Sequence, residues 1–565
     1  MTRLCAGIGV LYVLAGCDGR LLDDDPPLDR EPPDLVIEAP ERAAIVLDDV
    51  VTVRGRVEDP GSGIASVIVA GKHLAPSTSG AFEVEIPVGT GINLLETVAV
   101  DQAGNSRRDT RAVLAGPFAD PSASVPEAVA LSLGPRGIGN LARAVTGFFA
   151  TADLTALAAA LNPVIDTGGS CLGATASVDH VSVAAPSIEL HPTAAGLEAQ
   201  IEADDVRIEM VVDYAIACLS GSALIEFSAQ TFELAGVLDA AIARGEVAVA
   251  ILDTRASFQG VRVDLGLLPA EAIELLVDVD EAAASLFATA IEALVPALIE
   301  DQFRRFSSSE EFEVLDVPLE LELRPRIMRL DEAGLAFVAD LAFRPGAGHE
   351  AAPYPSPGSA SPLPSLHTDD LALVVRQAAV NQALSALWSA GAMSQRLRLG
   401  SGDDAADGPP RRLDGLALEM LLPPAITPRE DRAAVEIGVG DVLVDALRED
   451  GETARVLTRV ALSAQLDLSV EVEATPEGER GLRFALSTPG IAFQVLDESG
   501  DALDLSEVEN LVSFAATRLT AALGDLLGEL PLPSVGGVRV RDASAVAEGD
   551  FIIVRGELAP TDASE

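Results

Sequence analysis

Cysteines, histidines and clustered carboxylates are the side chains with which this chain of 565 residues could do chemistry. Structural zinc takes four Cys or His ligands in closely spaced pairs, and catalytic zinc keeps about three. Cys5, Cys17, Cys171 and Cys218 form no CxxC pair, and His73, His180, His191, His349 and His367 have no metal-ligand spacing. No metal centre is expected from them. Gly168-Gly169-Ser170-Cys171 has the small residues of a nucleophile turn but not the GxSxG order that lifts a serine onto a strained elbow, so a structural role is expected. Neither a P-loop nor a GxGxxG fingerprint occurs. Asp497, Ser499 and Asp501 begin like a calcium loop, yet the glycine falls at the fourth place and no glutamate at the twelfth. An acidic turn before a helix starting at Leu505, capped by Asp504 or Ser506, fits better. Asp59 and Asp101 could share a hard cation, but Asx turns at strand ends are the simpler account. No catalytic residue, metal ligand or cofactor is assigned, and the chain is not expected to be an enzyme.

The cysteines divide by position. MTR is followed by the apolar stretch LCAGIGVLYVL, too short for the ~20 residues of a spanning helix, and then by Leu14-Ala15-Gly16-Cys17. These four residues resemble the lipobox of bacterial lipoproteins, which implies cleavage before Cys17 and a diacylglycerol on its thiol. The alternative is an ordinary signal peptide with an incidental cysteine. Residues 1–16 are thus read as signal, and 17–33, acidic and proline-rich, as a solvated tether. Cys5 leaves with the signal, and Cys171 and Cys218 remain. An oxidising compartment favours a disulfide between them over two free buried thiols.

Composition narrows the partners. Asp and Glu outnumber Lys and Arg by 88 to 38, a formal charge of -50, and Lys72 is the sole lysine. Such a field repels phosphate backbones, so no nucleic-acid partner is expected. Yet 48% of residues are hydrophobic and mean hydropathy is +0.31, far too apolar for a disordered chain. At ~100 to 200 residues per domain the length predicts three or four domains.

The elements follow from periodicity. Residues 34–116 show short alternating strands broken by turns, the rhythm of a β-sandwich, with Val51, Val53 and Gly55 on one face. Gly91, Asn93 and Asp101 through Ala103-Gly104-Asn105 resemble the immunoglobulin-like repeats of bacterial surface proteins. From 138 to 165, Ile138, Leu141, Val145, Phe148, Phe149 and Leu161 recur at spacings near three and four, which predicts a helix. Long alternations come next. Val206, Ile208 and Met210 oppose Arg207 and Glu209, and Val261, Val263 and Leu265 oppose Arg262 and Asp264. From Val460 to Val472 alternation is unbroken, predicting a strand of ~40 Å with one apolar and one solvated face. Such a sheet needs something long and apolar against it. Helices predicted over 281–306 (Leu286, Ile291, Leu294, Leu298 and Phe303, with a kink at Pro296), 371–391 and 505–530 supply it. Helix, sheet, helix occurs twice, at 117–310 and 311–565, with a proline-rich flexible loop at 344–366.

Two C-terminal motifs carry a resemblance. Asn381, Leu384, Leu387, Trp388, Ala390 and Gly391, together with Pro531-Leu532-Pro533 leading to Phe551, Ile552 and Val554, resemble the bactericidal/permeability-increasing, lipopolysaccharide-binding and cholesteryl ester transfer protein family. The likeness spans most of the chain but is specific only there. It implies an α+β architecture of tandem tubular lipid-binding (TULIP) domains, each a long helix wrapped by a curved antiparallel sheet, after the all-β immunoglobulin-like sandwich. It also places a disulfide about where Cys171 and Cys218 lie. With only 17 Phe, 3 Tyr and 1 Trp, a helix-sheet slot would be lined by small aliphatic groups. That suits acyl chains, at ~0.8 kcal/mol per buried methylene. Candidate linings are Leu141, Val145, Phe148 and Phe149 in the first half, and Val374, Leu384, Leu387 and Trp388 in the second; ordinary core is the competing role for each. Endotoxin binding is not carried over, because the basic patch it needs is missing from this acidic chain. The expectation is a lipoprotein of the bacterial envelope, anchored to a membrane and facing periplasm or surface, that binds and transfers a phospholipid or other acyl-chain ligand. The alternative is an adhesion or structural protein acting through its immunoglobulin-like module.

Overall fold

A computed structural model describes residues 29–151, 154–159, 162–167, 171–266, 296, 300, 304, 310–314, 317–357, 361–366, 368, 370–399, 413–429, 434–450, 453–474, 480–487, 490–498, 503–528 and 538–560. Cys17, the signal and Pro531-Leu532-Pro533 lie outside them. Of the helix expected over 281–306, Pro296, Glu300 and Arg304 are described, each helical. The chain divides into two compact units. The smaller is Met1–Ala39, Val53–Val84 and Glu96–Asp109; the larger is Pro40–Thr52, Glu85–Leu95 and Thr110–Glu565.

Alternation builds the smaller unit. Leu35, Ile37, Val53, Val57, Val67, Val69, Phe82 and Ala99 are buried at every second position of their strands. Gly55 joins Val53 and Val57 on the inner face because no side chain fits there. A Cβ on it would lie 2.6 Å from the Val36 carbonyl and 2.7 Å from the Phe82 ring.

Three large sheets, antiparallel throughout, organise the larger unit. The first runs in chain order through Ile165–Asp166, Leu172–Thr193, Gly196–Ile216, Leu219–Ala243 and Glu246–Gln259, and Arg262–Asp264 returns to pair with Leu219–Ala243. Its strands reach 25 residues, against a usual ~5–6. The expected alternation is realised across the register. Ile208 faces Phe227, Met210 faces Ile225, and all four are buried. Of the helix expected over 138–165, Pro135–Thr151 (α1) and Leu154–Ala159 (α2) are described as helical, whereas Ile165–Asp166 is a strand paired with Thr175 and Ala176. That two-residue strand covers only the start of Leu172–Thr193. Helix and turn side chains take up backbone groups farther along: Thr146 Oγ1 accepts from Ile188 N–H (3.0 Å), Thr155 Oγ1 from Val181 N–H (3.1 Å), and Asn162 Oδ1 from Val178 N–H (2.7 Å).

The second sheet joins both ends of the body. Its order is Glu310–Val314, Val317–Asp331, Gly334–Pro345, Val125–Leu133, Leu371–Arg376, Phe551–Pro560 and Val538–Glu548. Val125–Leu133 leads into α1, and Leu371–Arg376, its antiparallel neighbour, leads into α3 (Gln377–Ser389). The helix expected from 371 thus begins six residues later. Leu371 to Arg376 alternate in burial and pair on both sides, so a central strand overrides a local pattern that also suits a helix. The 344–366 stretch is anchored at Tyr354, which is buried in the strand pair with Phe118–Ala119 and whose hydroxyl is pushed up to about 12 by burial, with Asp120 adding to the rise.

The third sheet runs Gln395–Arg398, Gly415–Met420, Ala434–Asp450, Thr453–Ala474 and Arg480–Leu486, with Ala425–Arg429 on Ala434–Asp450 and Gly490–Glu498 on Thr453–Ala474. Helix α4 (Leu505–Gly528) starts at a reciprocal capping box. Asp504 Oδ1 accepts from Glu507 N–H (2.9 Å) and Glu507 Oε2 from Asp504 N–H (3.0 Å). The solvated face expected for Val460–Val472 is in part dry: Ala461 and Ser463 are as buried as Val460 and Leu462. Residues of the larger unit cover that face. A Cβ on Gly438 would lie 2.7 Å from Ile92 Cβ, and one on Gly440 2.6 Å from Ala112 Cβ, so glycine at both positions permits the approach. The described chain is therefore mostly strand, with α4 its longest helix and no helix of that length described in the first half.

Candidate functional site

The apolar side of the third sheet faces α4. Leu418, Met420, Val442 and Leu462 project from three adjacent strands because alternation puts them on one face; Ala515, Leu519, Ala522 and Leu523 come from α4 at helical spacing. With Ala392 and Met393, which follow α3, they wall a seam in which ten of twelve lining residues are apolar. The remaining two are Gln395 and Arg518. Its enclosed volume is about 30 Å³, room for a water or two, so α4 lies nearly closed on the sheet. Two flexible methionines, Met393 and Met420, let the walls of the seam adapt, and three alanines keep it lined by small groups.

The residues singled out in the second half lie near the seam but not on its wall. Leu384 and Leu387 are buried in the core that also holds Met420, Val442, Leu462 and Leu523, and Trp388 packs against that core. Trp388 Nε1–H donates to the Met420 carbonyl at 2.7 Å, which ties α3 to a seam strand. Val374 sits elsewhere, among Ala130, Val338, Phe551 and Ile553. In the first half Leu141 is half-buried on α1, while the side chains of Val145, Phe148 and Phe149 lie outside the described residues. The seam's own residues on α4, Ala515, Leu519, Ala522 and Leu523, recur in the sequence at helical spacing. Arg518 is the one charge in that apolar stripe, and its charge is what marks the seam in the sequence.

Cys171 and Cys218 form a disulfide, both exposed, beside an open polar cleft of about 470 Å³ walled by Asp166, Thr175, Asp213, Tyr214 and Ser220 among others. In the smaller unit Asp29, Asp59 and Asp101 bring carboxylate oxygens within 4.8 Å of one another. The Asx turns expected there are present: Asp59 accepts from the N–H groups of Gly61 and Gly63, and Asp101 from Asn105 N–H and Nδ2–H, both at 2.7 Å. Burial raises the Asp101 carboxyl, but the Asn105 and neighbouring backbone hydrogen bonds outweigh it and hold the group below its ordinary value.

Residues 33–116 match the family described as glucodextranase, domain B. This domain-B likeness is compatible with an immunoglobulin-like module and covers none of the seam. No curated protein matches the chain. Among solved structures, a lipopolysaccharide binding protein aligns at 10% identity and a TM-score of 0.41, and the P47 protein of Clostridium botulinum at 9% and 0.20. Each alignment covers 77% of this chain and 100% of the other. TM-scores this low do not establish a shared fold. No described helix is long and apolar enough to cross a membrane.

Proposed function

We propose that this chain binds lipid, with an acyl chain entering the seam between α4 and the third sheet. The observation that carries this reading is the seam's lining, apolar at ten of twelve positions and walled on one side by a single helix. Opening it exchanges contacts of α4 with the sheet for contacts of both with an acyl chain, at ~0.8 kcal/mol per methylene removed from water. A surface charge of -50 does not oppose a neutral chain inside an apolar slot. Each half of the body is read as a helix-on-sheet module of the tubular lipid-binding kind, and the role as carriage, not catalysis. Lipidation at Cys17 would hold the protein at a membrane of the bacterial envelope, where it would bind and pass on lipid.

Trp388, the chain's one tryptophan, is a built-in probe because it contacts the seam strand at Met420. Dibrominated phosphatidylcholine or dibrominated stearate is expected to quench its fluorescence saturably, and phospholipid to co-purify in native mass spectrometry. A protein that shows neither with the brominated lipids removes the proposal.

A further inference from the structure

The polar exceptions in the seam point to the kind of lipid it takes. Arg518 and Gln395 are both exposed and lie on the lining, which among the described residues includes no carboxylate, in a chain whose acids outnumber its bases 88 to 38. Arg518 stands one helical turn from Phe514, its guanidinium carbon 5.2 Å from that ring's centroid. The stack steadies the guanidinium while leaving its N–H groups in solvent: among the described residues no hydrogen bond or ion pair engages Arg518, unlike Arg459, which Asp445 holds by two bonds of 2.6 and 2.7 Å. A free, pre-oriented fork at the mouth of an apolar slot matches an oxyanion on the end of a hydrocarbon. The chain's overall negative field opposes such a ligand only weakly, because it is screened beyond ~8 Å at physiological salt.

We infer that Arg518, assisted by Gln395, reads an anionic headgroup, so that the seam prefers an anionic amphiphile such as a fatty acid to a neutral one of the same chain length. This rests on the lipid-binding reading and adds the ligand class to it. Charge-assisted bonds of this type correspond to about a ten- to hundredfold difference in affinity.

The test is quenching of Trp388 in the full chain by dibrominated stearate and by dibrominated stearyl alcohol, for the wild type, Arg518→Gln and Arg518→Lys. The expected result is at least tenfold tighter binding of stearate by the wild type, loss of that preference in Arg518→Gln, and partial recovery of it in Arg518→Lys. Equal affinity for the two ligands in the wild type, or a preference that survives Arg518→Gln, overturns the inference and leaves lipid binding standing. If neither ligand quenches the wild type, lipid binding itself fails and the headgroup assignment fails with it. Because Arg518 is exposed, both variants are expected to fold, and an unchanged melting curve checks this.

Discussion

Asn381 on α3 and Ile426 on the third sheet are joined in both directions: Asn381 Oδ1 accepts from Ile426 N–H at 2.8 Å, and Nδ2 donates to the Ile426 carbonyl at 3.4 Å and to the Pro355 carbonyl at 3.0 Å. Asn381 is 1% exposed. Truncation would leave Ile426 N–H and the Pro355 carbonyl without partners in the core, although the Ile426 carbonyl keeps its bond from Gln377. Asn381→Ala is expected to cost about 2–4 kcal/mol, read as a lower denaturation midpoint, with no specific change in ligand preference.

Leu384 and Leu519 separate core from seam. Leu384 is 2% exposed and surrounded by core, whereas Leu519 is half-buried on the seam wall. Leu384→Ala is expected to destabilise by about 2–5 kcal/mol and to leave acyl-chain affinity of the folded fraction intact. Leu519→Glu is expected to lower that affinity at least tenfold at a smaller stability cost. Titration of Trp388 quenching beside a denaturation curve distinguishes them.

The Cys171–Cys218 disulfide closes a loop of sequence separation 47 within the first sheet. Its loss frees that loop in the unfolded chain, which predicts a cost of about 2–4 kcal/mol for the double Cys171→Ser, Cys218→Ser variant. Melting with and without reductant should reproduce the difference in the wild type and show none in the variant.

Asp441 predicts a pH dependence. It is fully buried, accepts from Arg42 and from the N–H groups of Ala43 (3.1 Å) and Ala112 (2.9 Å), and burial raises its carboxyl above the ordinary value, with Arg42 and the two N–H groups only partly offsetting the rise. A raised folded-state value means that the folded chain holds this proton more tightly than the unfolded one. Its contribution is therefore full below the ordinary aspartate value of ~3.9 and lost as pH rises through the raised value. Relative to Asp441→Asn, which cannot titrate, the wild type is expected to gain stability as pH falls through that window. Urea midpoints measured across it check the sign, and a relative loss on acidification refutes it.

The local pattern of residues determined the alternating strands and the start of α4 at its Asp504 and Glu507 box. These depend on periodicity and capping chemistry, both written in neighbouring residues. Asn381 stood out by its motif, but its bond to Ile426 spans 45 positions. What lay beyond the sequence was decided by partners distant in the chain. Leu371–Arg376 is a strand because Val125–Leu133 and Phe551–Pro560 flank it; Ser463 is dry because residues near Ile92 and Ala112 cover its face; Leu384 is core while Leu519 is seam. An apolar residue in an amphipathic element carries no mark of which neighbour it will meet, since burial is non-directional and every such side chain satisfies the same pattern. Arg518 had a charge to set it apart, yet only the packing of α4 on the sheet places that charge at the mouth of an apolar seam.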